Sequence, residues 1–241
     1  MKNHNYFFAI ALIILCLVTS CSEEKGGAKY AYSVSEMAGK TLVINYGTQT
    51  RKIVFDQEGR ISADYNTWLS AVDQEDFFYD YSKYPSCIYR KYSSGEADTI
   101  KLTFEDGRLS KSVLYRCDDG VYEDNYSYHN DKISKIVSFV DGRKSGEMTI
   151  NWSSGNISSI GYKEDDGFSY EHTYEYSDIF VSSLDPEDRV AILLIQENPE
   201  YGFVPLLCLS SAFVTKNLVD EDLFDYDLNN NKMGGYSWRV E

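Results

Sequence analysis

Leu102-Thr103-Phe104-Glu105-Asp106-Gly107-Arg108-Leu109-Ser110 is the stretch on which the fold turns. Asp-Gly at the centre of a two-residue loop supplies the positive φ of a type I′ turn, whose twist suits the two antiparallel strands it joins. With Asp106 and Gly107 as the turn, Glu105 faces Arg108 and Phe104 faces Leu109, so opposite charges and an aromatic-aliphatic pair meet across the strands. The unit then repeats. Phe104, Tyr128, Trp152 and Tyr176 stand 24 residues apart, and so do Leu102, Tyr126, Ile150 and Tyr174. Behind the aromatic comes a turn and then an aliphatic residue followed by Ser: Leu109-Ser110, Ile133-Ser134, Ile157-Ser158 and Val181-Ser182. A fixed period of this size marks stacked supersecondary units.

Working outward, Asn130-Asp131 and Ser154-Gly155 take the place of Asp106-Gly107, while Phe55 and Ile61 are one residue further apart, with Gly59 suited to a left-handed position. Tyr79-Asp80-Tyr81 with Ile88 reads as a looser copy, and return turns follow at Asp119-Gly120, Asp141-Gly142 and Asp166-Gly167. The expected fold is mainly β: a single antiparallel meander of about 12 to 14 strands beginning at Leu42. A dozen strands ~4.8 Å apart make a sheet about 55 Å wide. Open sheets that wide rarely persist, so this one is expected to be strongly curled or barrel-like. Strict alternation puts Ile133, Lys135, Val137 and Phe139 on one face and Ser134, Ile136, Ser138 and Val140 on the other. Lys111, Lys135 and Lys163 interrupt any continuous apolar band of the kind a lipid-facing barrel wall needs.

Near the C-terminus the pattern changes. Asp185-Pro186-Glu187-Asp188 is a helix start, with a capping Asp, Pro at the first helical position and acids at the positive end of the dipole. Val190 to Ile195 is apolar all round, and Val204 to Val214 offers a second apolar helix, so one or two buried helices are expected in an insert at about 186–214. Phe224-Asp225-Tyr226 and Tyr236-Ser237-Trp238 read as a closing hairpin.

At the other end, Tyr6 to Val18 is an apolar run of 13 residues behind a short polar head with Lys2 and His4. It is too short to span a bilayer and reads as a signal peptide. Val18-Thr19-Ser20-Cys21 resembles the lipobox of bacterial lipoproteins, which implies removal of residues 1–20 and acylation of Cys21, anchoring the protein to a membrane through lipid. Ser22, Glu23 and Glu24 look like the acidic export signals of Bacteroidota lipoproteins, which implies the outer membrane and its cell-surface side; the periplasmic face is the alternative. The expected organisation is a signal at 1–20, a tether at 21–39 and one domain at 40–241.

Composition narrows the chemistry. The 241 residues carry a net charge of -15, which repels a phosphate backbone and excludes nucleic acid as a partner. His129 and His172 lack metal-ligand spacing, and neither a G-x-S-x-G elbow nor a phosphate loop occurs, so no metal, no cofactor and no enzymatic activity are expected. Asp225 to Asn229 begins like a calcium loop but lacks the required Gly and the closing Glu, so a hairpin turn is expected there. Cys87, Cys117 and Cys208 make no disulfide framework; a Cys87-Cys117 bridge stays open, with buried thiols favoured. Asp98-Thr99-Ile100 resembles a three-residue O-glycosylation site.

The chain holds 21 Tyr. The in-phase set Phe104, Tyr128, Trp152 and Tyr176 is expected to form a core ladder, so a ligand face is sought among aromatics outside it: Tyr122, Tyr162 and Tyr170. Rings with a flat apolar face and a hydrogen-bonding tip suit glycans and protein surfaces.

The hairpin units resemble the tyrosine-aspartate repeats of wrapped β-sheet shells. Tyr174-Glu175-Tyr176, Asp185 to Gln196 and Lys216-Asn217-Leu218 follow the order found in a family of Bacteroidales lipoproteins, the domain-of-unknown-function 4595 family, which residues 40 to 241 resemble. That resemblance implies a porin-like β-meander with an apolar helical interruption, and it carries no catalytic residue. The functional expectation is a non-enzymatic binding or scaffold lipoprotein with a glycan or protein partner; a periplasm-facing structural lipoprotein is the alternative, and a glycan hydrolase stands third.

Overall fold

The computed structural model describes residues 34–66, 75–82, 84–117, 120–195, 215–219, 226–227, 230–233 and 235–241. The signal segment, Cys21, most of the tether, Cys208 and the apolar stretch Val204 to Val214 lie outside the described residues.

Twelve strands run up and down in sequence order: β1 (Thr41–Tyr46), β2 (Gln49–Phe55), β3 (Ile61–Asn66), β4 (Glu75–Tyr81), β5 (Pro85–Tyr92), β6 (Ala97–Glu105), β7 (Arg108–Tyr115), β8 (Val121–His129), β9 (Lys132–Val140), β10 (Arg143–Ser153), β11 (Asn156–Glu164) and β12 (Ser169–Thr173). Each pairs antiparallel with the next. β13 (Tyr176–Phe180) leaves this sheet to pair with β14 (Asn217–Val219). Between them lies the helix α1 (Pro186–Ile195). The short β15 (Tyr226–Asp227) and β16 (Lys232–Met233) lead into β17 (Tyr236–Val240), which pairs with β1, Leu42 opposite Val240. The last strand therefore lies beside the first. Among the described residues the sheet has fifteen strands in the order β12 to β1, then β17, β16 and β15, and it is not closed.

The turns obey the expected chemistry. Asp106 and Gly107, Asn130 and Asp131, and Ser154 and Gly155 all have positive φ, and Glu105 faces Arg108 while Phe104 faces Leu109. The repeated Ser also finds its reason. In five hairpins the register slips just after the turn, and the extra residue is Ser62, Ser86, Ser110, Ser134 or Ser158. Four of these hydroxyls donate to a carbonyl on the facing strand, at 3.1 to 3.3 Å. The period extends further back than the looser copy suggests: Pro85-Ser86 occupies the aliphatic slot facing Tyr81, whereas Ile88 faces Tyr79.

The bulges correct the face assignment. A β-bulge adds one residue to one strand and shifts the alternation beyond it. Ile133 and Ile136, expected on opposite faces, are therefore both buried in one core cluster with Leu109, Tyr126, Met148, Ile150 and Ile160. Phe104, Tyr128 and Trp152 pack against that cluster as the expected ladder; Tyr176 instead starts β13.

A second cluster lies under α1. Val190, Ala191, Ile192 and Leu194 pack on Leu42, Ile44, Ile53, Phe55, Ile61, Ile88, Ile100 and Trp238. Each fully buried side chain of this size contributes about 1.5–3 kcal/mol. Both ends of the helix are bonded to the sheet. Trp238 Nε1 donates to Asp188 Oδ1 at 2.8 Å in the first turn. Arg51 Nη1 donates to the Leu194 carbonyl at 3.3 Å in the last. An acid at the helix start and a guanidinium at its end match the macrodipole.

The remaining sequence expectations sort as follows. Cys87 and Cys117 are thiols with no disulfide between them; Cys87 is half-buried, and Cys117 is exposed rather than buried because it lies in the loop after β7. His172 lies within β12. Tyr226–Asp227 pairs with Lys232–Met233, so the calcium-like stretch is part of a hairpin.

Candidate functional site

The face that carries α1 continues, beyond the helix, over β7 to β12. Residues directly opposite one another in an antiparallel sheet share a face, so the registers define rows across the strands. One row is Ser112, Asp124, Ser138, Gly146 and Glu164, one residue from each of β7 to β11. On one side runs Tyr126, Ile136, Met148, Tyr162 and Tyr170. On the other runs Leu114, Tyr122 and Val140. A line of small and acidic residues thus runs between two lines of large ones; Ser112, bonded to Tyr126, and Gly146, beneath Tyr162, are buried, and Asp124, Ser138 and Glu164 are half-buried.

That line breaks the repeat at every step from Ser112 to Gly146. Ser112 stands where neighbouring repeats have Ile88 and Ile136, and Asp124 where they have Ile100 and Met148. Ser138 replaces Leu114 and Tyr162, and Gly146 replaces Tyr122 and Tyr170. Four departures from four different columns of the repeat fall side by side in the folded sheet. A ladder built only for stability would keep a large apolar or aromatic residue in each.

Asp124 is the centre of this line. Ser138 Oγ donates to its Oδ1 at 2.6 Å, and Tyr122 and Tyr126 flank it on the same strand and face. Among the described residues no hydrogen bond reaches its Oδ2. Burial pushes the Asp124 carboxyl above the ordinary carboxylate range, the Ser138 bond opposes that shift, and the charge of Glu123 adds to it. To one side, Ser112 Oγ and Tyr126 Oη are 3.0 Å apart and hydrogen-bonded. To the other, the Tyr162 ring leans over Gly146: a Cβ at 146 would sit 3.1 Å from Tyr162 Oη and 2.9 Å from the Lys163 carbonyl. A side chain there would press on the Lys163 backbone and displace that ring. Tyr170 faces Tyr162 with ring centroids 5.5 Å apart.

Tyr122, Tyr162 and Tyr170, the aromatics singled out from sequence, thus lie on one face and border that line. Ser112, Asp124, Ser138 and Gly146 were not singled out. Their signal was their departure from the 24-residue columns, which becomes visible once the bulges fix which residues share a face.

The opposite face differs in kind. Lys111 pairs with Glu123, and 24 residues on Lys135 pairs with Glu147. A row of Phe78, Tyr89, Thr99, Tyr115 and Val121 crosses it, with Tyr89 and Tyr115 exposed. In the glycosylation-like triplet, Thr99 is half-buried in that row while Asp98 and Ile100 are buried on the other side. Asp98 accepts from Tyr92 Oη and from the Cys117 backbone N–H at 2.9 Å, and Arg90 lies 3.8 Å away. No group of three or more His, Cys, Asp or Glu placed to hold a metal occurs among the described residues.

No protein-family model and no curated protein matches this chain. Among solved structures it is similar to a porin-like protein from Bacteroides uniformis, with a TM-score of 0.51 and 14% identity over 79% of each chain. At that identity the likeness concerns the fold, and the fold of this chain is a porin-like antiparallel β-meander.

Proposed function

We propose that this protein is a lipid-anchored, outer-membrane binding module, non-enzymatic, that presents the half-buried Asp124 and Ser138 and the tyrosines beside them to a glycan. The observation that carries the reading is Asp124, half-buried where neighbouring repeats have Ile100 and Met148, held by Ser138 on one carboxylate oxygen while no described residue bonds the other, on the same face as Tyr122 and Tyr162. A carboxylate and hydroxyls bordered by tyrosine rings are what sugar hydroxyls and sugar ring faces require. The charged Lys-Glu pairs on the opposite face support a sheet held near a membrane by lipid.

Binding without hydrolysis is supported by distance. Asp124 and Glu164 are three strands apart in the row, about 14 Å at ~4.8 Å per strand. Glycosidase carboxyl pairs stand about 5–9.5 Å apart. The address rests on Cys21 and the acidic residues after it, and on the resemblance to the Bacteroidales lipoprotein family.

One experiment tests the reading in intact cells. Protein labelled with radioactive fatty acid is followed through external protease treatment, and undigested protein from a parallel sample is applied to an immobilised glycan panel. Label lost in Cys21→Ala, digestion without lysis, and glycan binding by wild type support it. Label retained in Cys21→Ala, protection until lysis, or no binding to any glycan overturns the anchoring, surface or ligand part respectively.

A further inference from the structure

The sheet face opposite Asp124 carries exposed rings and lysines together. We infer that this face of β4 to β11 lies against an anionic lipid surface, its rings at the headgroups and its lysines on the phosphates. This rests on the lipid-anchored reading above, and it turns the Asp124 face away from the membrane. The row Phe78, Tyr89, Thr99, Tyr115 and Val121 crosses five strands. Tyr89, Tyr115 and Val121 are 38%, 42% and 37% exposed, and a lipid surface is broad enough to meet them without any groove. Lys91 Nζ lies 4.9 Å from the centre of the Phe78 ring, and Lys101 Nζ 5.2 Å from that of Tyr115. Tyrosine joins an apolar ring to a hydroxyl, and lysine joins an apolar stem to a charged head; both settle where hydrocarbon gives way to water.

Charge is sorted between the two faces. Away from the turns, the registers of β4 to β11 put Lys91, Lys101, Lys111, Lys135, Lys144 and Lys163 on this face. The acids there are Asp76, Asp80, Glu123 and Glu147, so lysine is in surplus on one face of a chain whose net charge is -15. Glu123 and Glu147 are held by Lys111, Lys135 and Lys144. Lys91, Lys101 and Lys163 are exposed, and among the described residues no acid lies within ion-pair distance of them. Each such lysine adds its own attraction to an anionic membrane, within a Debye length of the surface. A second copy of the chain suits the face less well, because two such faces together would set lysine against lysine. The anchor permits the contact. Val34 N–H donates to the Gly59 carbonyl at 2.8 Å, in the turn before β3, and 13 residue steps separate Cys21 from Val34, a reach of up to about 45 Å. A sheet tethered that closely is concentrated at the surface, so individually weak contacts are enough to orient it.

The test follows amine acetylation, lysine by lysine, by mass spectrometry of the lipidated protein. Three settings are compared: detergent, vesicles of phosphatidylcholine, and vesicles of phosphatidylcholine and phosphatidylglycerol in equal parts. The expected result on the anionic vesicles is that Lys91, Lys101 and Lys163 react at least fivefold more slowly than in detergent. Lys132, over the Trp152 ring on the Asp124 face, keeps its rate. Neutral vesicles protect the three lysines less than twofold. The double variant Lys91→Gln and Lys101→Gln still floats with the vesicles and keeps its near-ultraviolet circular dichroism, but the protection of Lys163 falls at least threefold. Protection that is absent, equal on the two kinds of vesicle, or unchanged in the double variant overturns the inference, while flotation leaves the anchoring reading standing. Protection already present in detergent and rising with protein concentration makes a second copy the occupant and overturns it too. Wild-type protein that does not float with either vesicle overturns the anchoring itself.

Discussion

Trp152 Nε1 donates a 2.7 Å hydrogen bond to the carbonyl of Ile133, one hairpin back along the chain. The same bond recurs between Tyr128 Oη and the Leu109 carbonyl and between Tyr81 Oη and the Ile61 carbonyl, both at 2.8 Å. Each acceptor immediately precedes the bulged Ser, where the ladder is disturbed and a carbonyl needs a partner. The turn cation of the earlier hairpin covers the same ring: Arg60 over Tyr81, Arg108 over Tyr128 and Lys132 over Trp152, at 4.5 to 5.5 Å. At the Phe104 rung the covering residue is Tyr84, stacked at 5.1 Å. The period of 24 is thus a chain of contacts from each hairpin to the one before it.

Removing one of these hydroxyls should therefore have a small and uniform effect. Tyr128→Phe and Tyr81→Phe each lose a hydrogen bond but keep the ring, at a cost of about 0.5–1.5 kcal/mol. In a domain of this size that lowers Tm by about 2–4 °C per kcal/mol. The two rungs are separate, so the double variant should show the sum of the single effects. Thermal unfolding checks this. Losses above about 3 kcal/mol, or strongly non-additive losses, would mean that the hydroxyls do more than cap a carbonyl.

Arg51 and Asp64 form a buried pair between β2 and β3, with Arg51 Nη2 donating to Asp64 Oδ2 at 2.8 Å and Arg51 Nε donating to both carboxylate oxygens at 3.1 Å. The side chains are only 8% and 1% exposed, and the same guanidinium bonds the last turn of α1. Arg51→Met strands a carboxylate, which costs about 3–5 kcal/mol. Arg51→Met combined with Asp64→Leu removes both charges and should regain most of that loss. Urea unfolding of the two variants separates the cases; a double variant no better than the single would place the energy in the helix contact instead.

Asp98 predicts acid sensitivity. Burial opposes its ionisation, but the hydrogen bonds from Tyr92 and from Cys117 and the nearby Arg90 outweigh it, holding the carboxyl below the ordinary range. A carboxyl depressed in the fold contributes stability that is complete above the unfolded pKa of about 3.9. That stability disappears as pH falls through the lower folded pKa. Asp98→Asn lacks this contribution, so it should be less stable than wild type at neutral pH, with a gap that narrows below about pH 4. Chemical unfolding at stepped pH measures the gap, and a constant one would detach the network from stability.

The meander was legible because its signals are local. Asp106-Gly107 and its equivalents set each turn, and the aromatic-aliphatic pair beside it sets each register. The helix was legible for the same reason, its acids and its apolar run being contiguous from Pro186 to Ile195. What alternation alone hid was the bulge. One extra Ser moves Ile136 to the side of Ile133, and with it Ser138 to the side of Asp124 and Tyr162. Tyr122, Tyr162 and Tyr170 could be picked out as aromatics, but the line between their rows exists only after that shift. Ser112 and Ser138 look like ordinary strand serines until their rows are known.

Asp124 differs from Asp98 in sign, and the difference joins stability to binding. Its carboxyl is raised by burial, with only Ser138 favouring the charge and Glu123 opposing it. The folded protein then holds the proton more tightly than the unfolded chain. Stability should fall as pH rises from the ordinary carboxylate range through the raised folded pKa, and the loss is complete above it. Asp124→Asn removes this titration and keeps an acceptor for Ser138, so its advantage over wild type should grow across that window and persist at pH 7. Urea midpoints measured from pH 4 to pH 8 test the sign, and parallel curves would refute it. A glycan bound at Asp124 should reverse the order: a ligand that binds only the folded state raises wild-type stability, while the variant, lacking the carboxylate, gains less. A carboxylate that destabilises the free fold and stabilises the bound one is explained by a ligand, whereas a residue kept for packing would show the cost without the reversal.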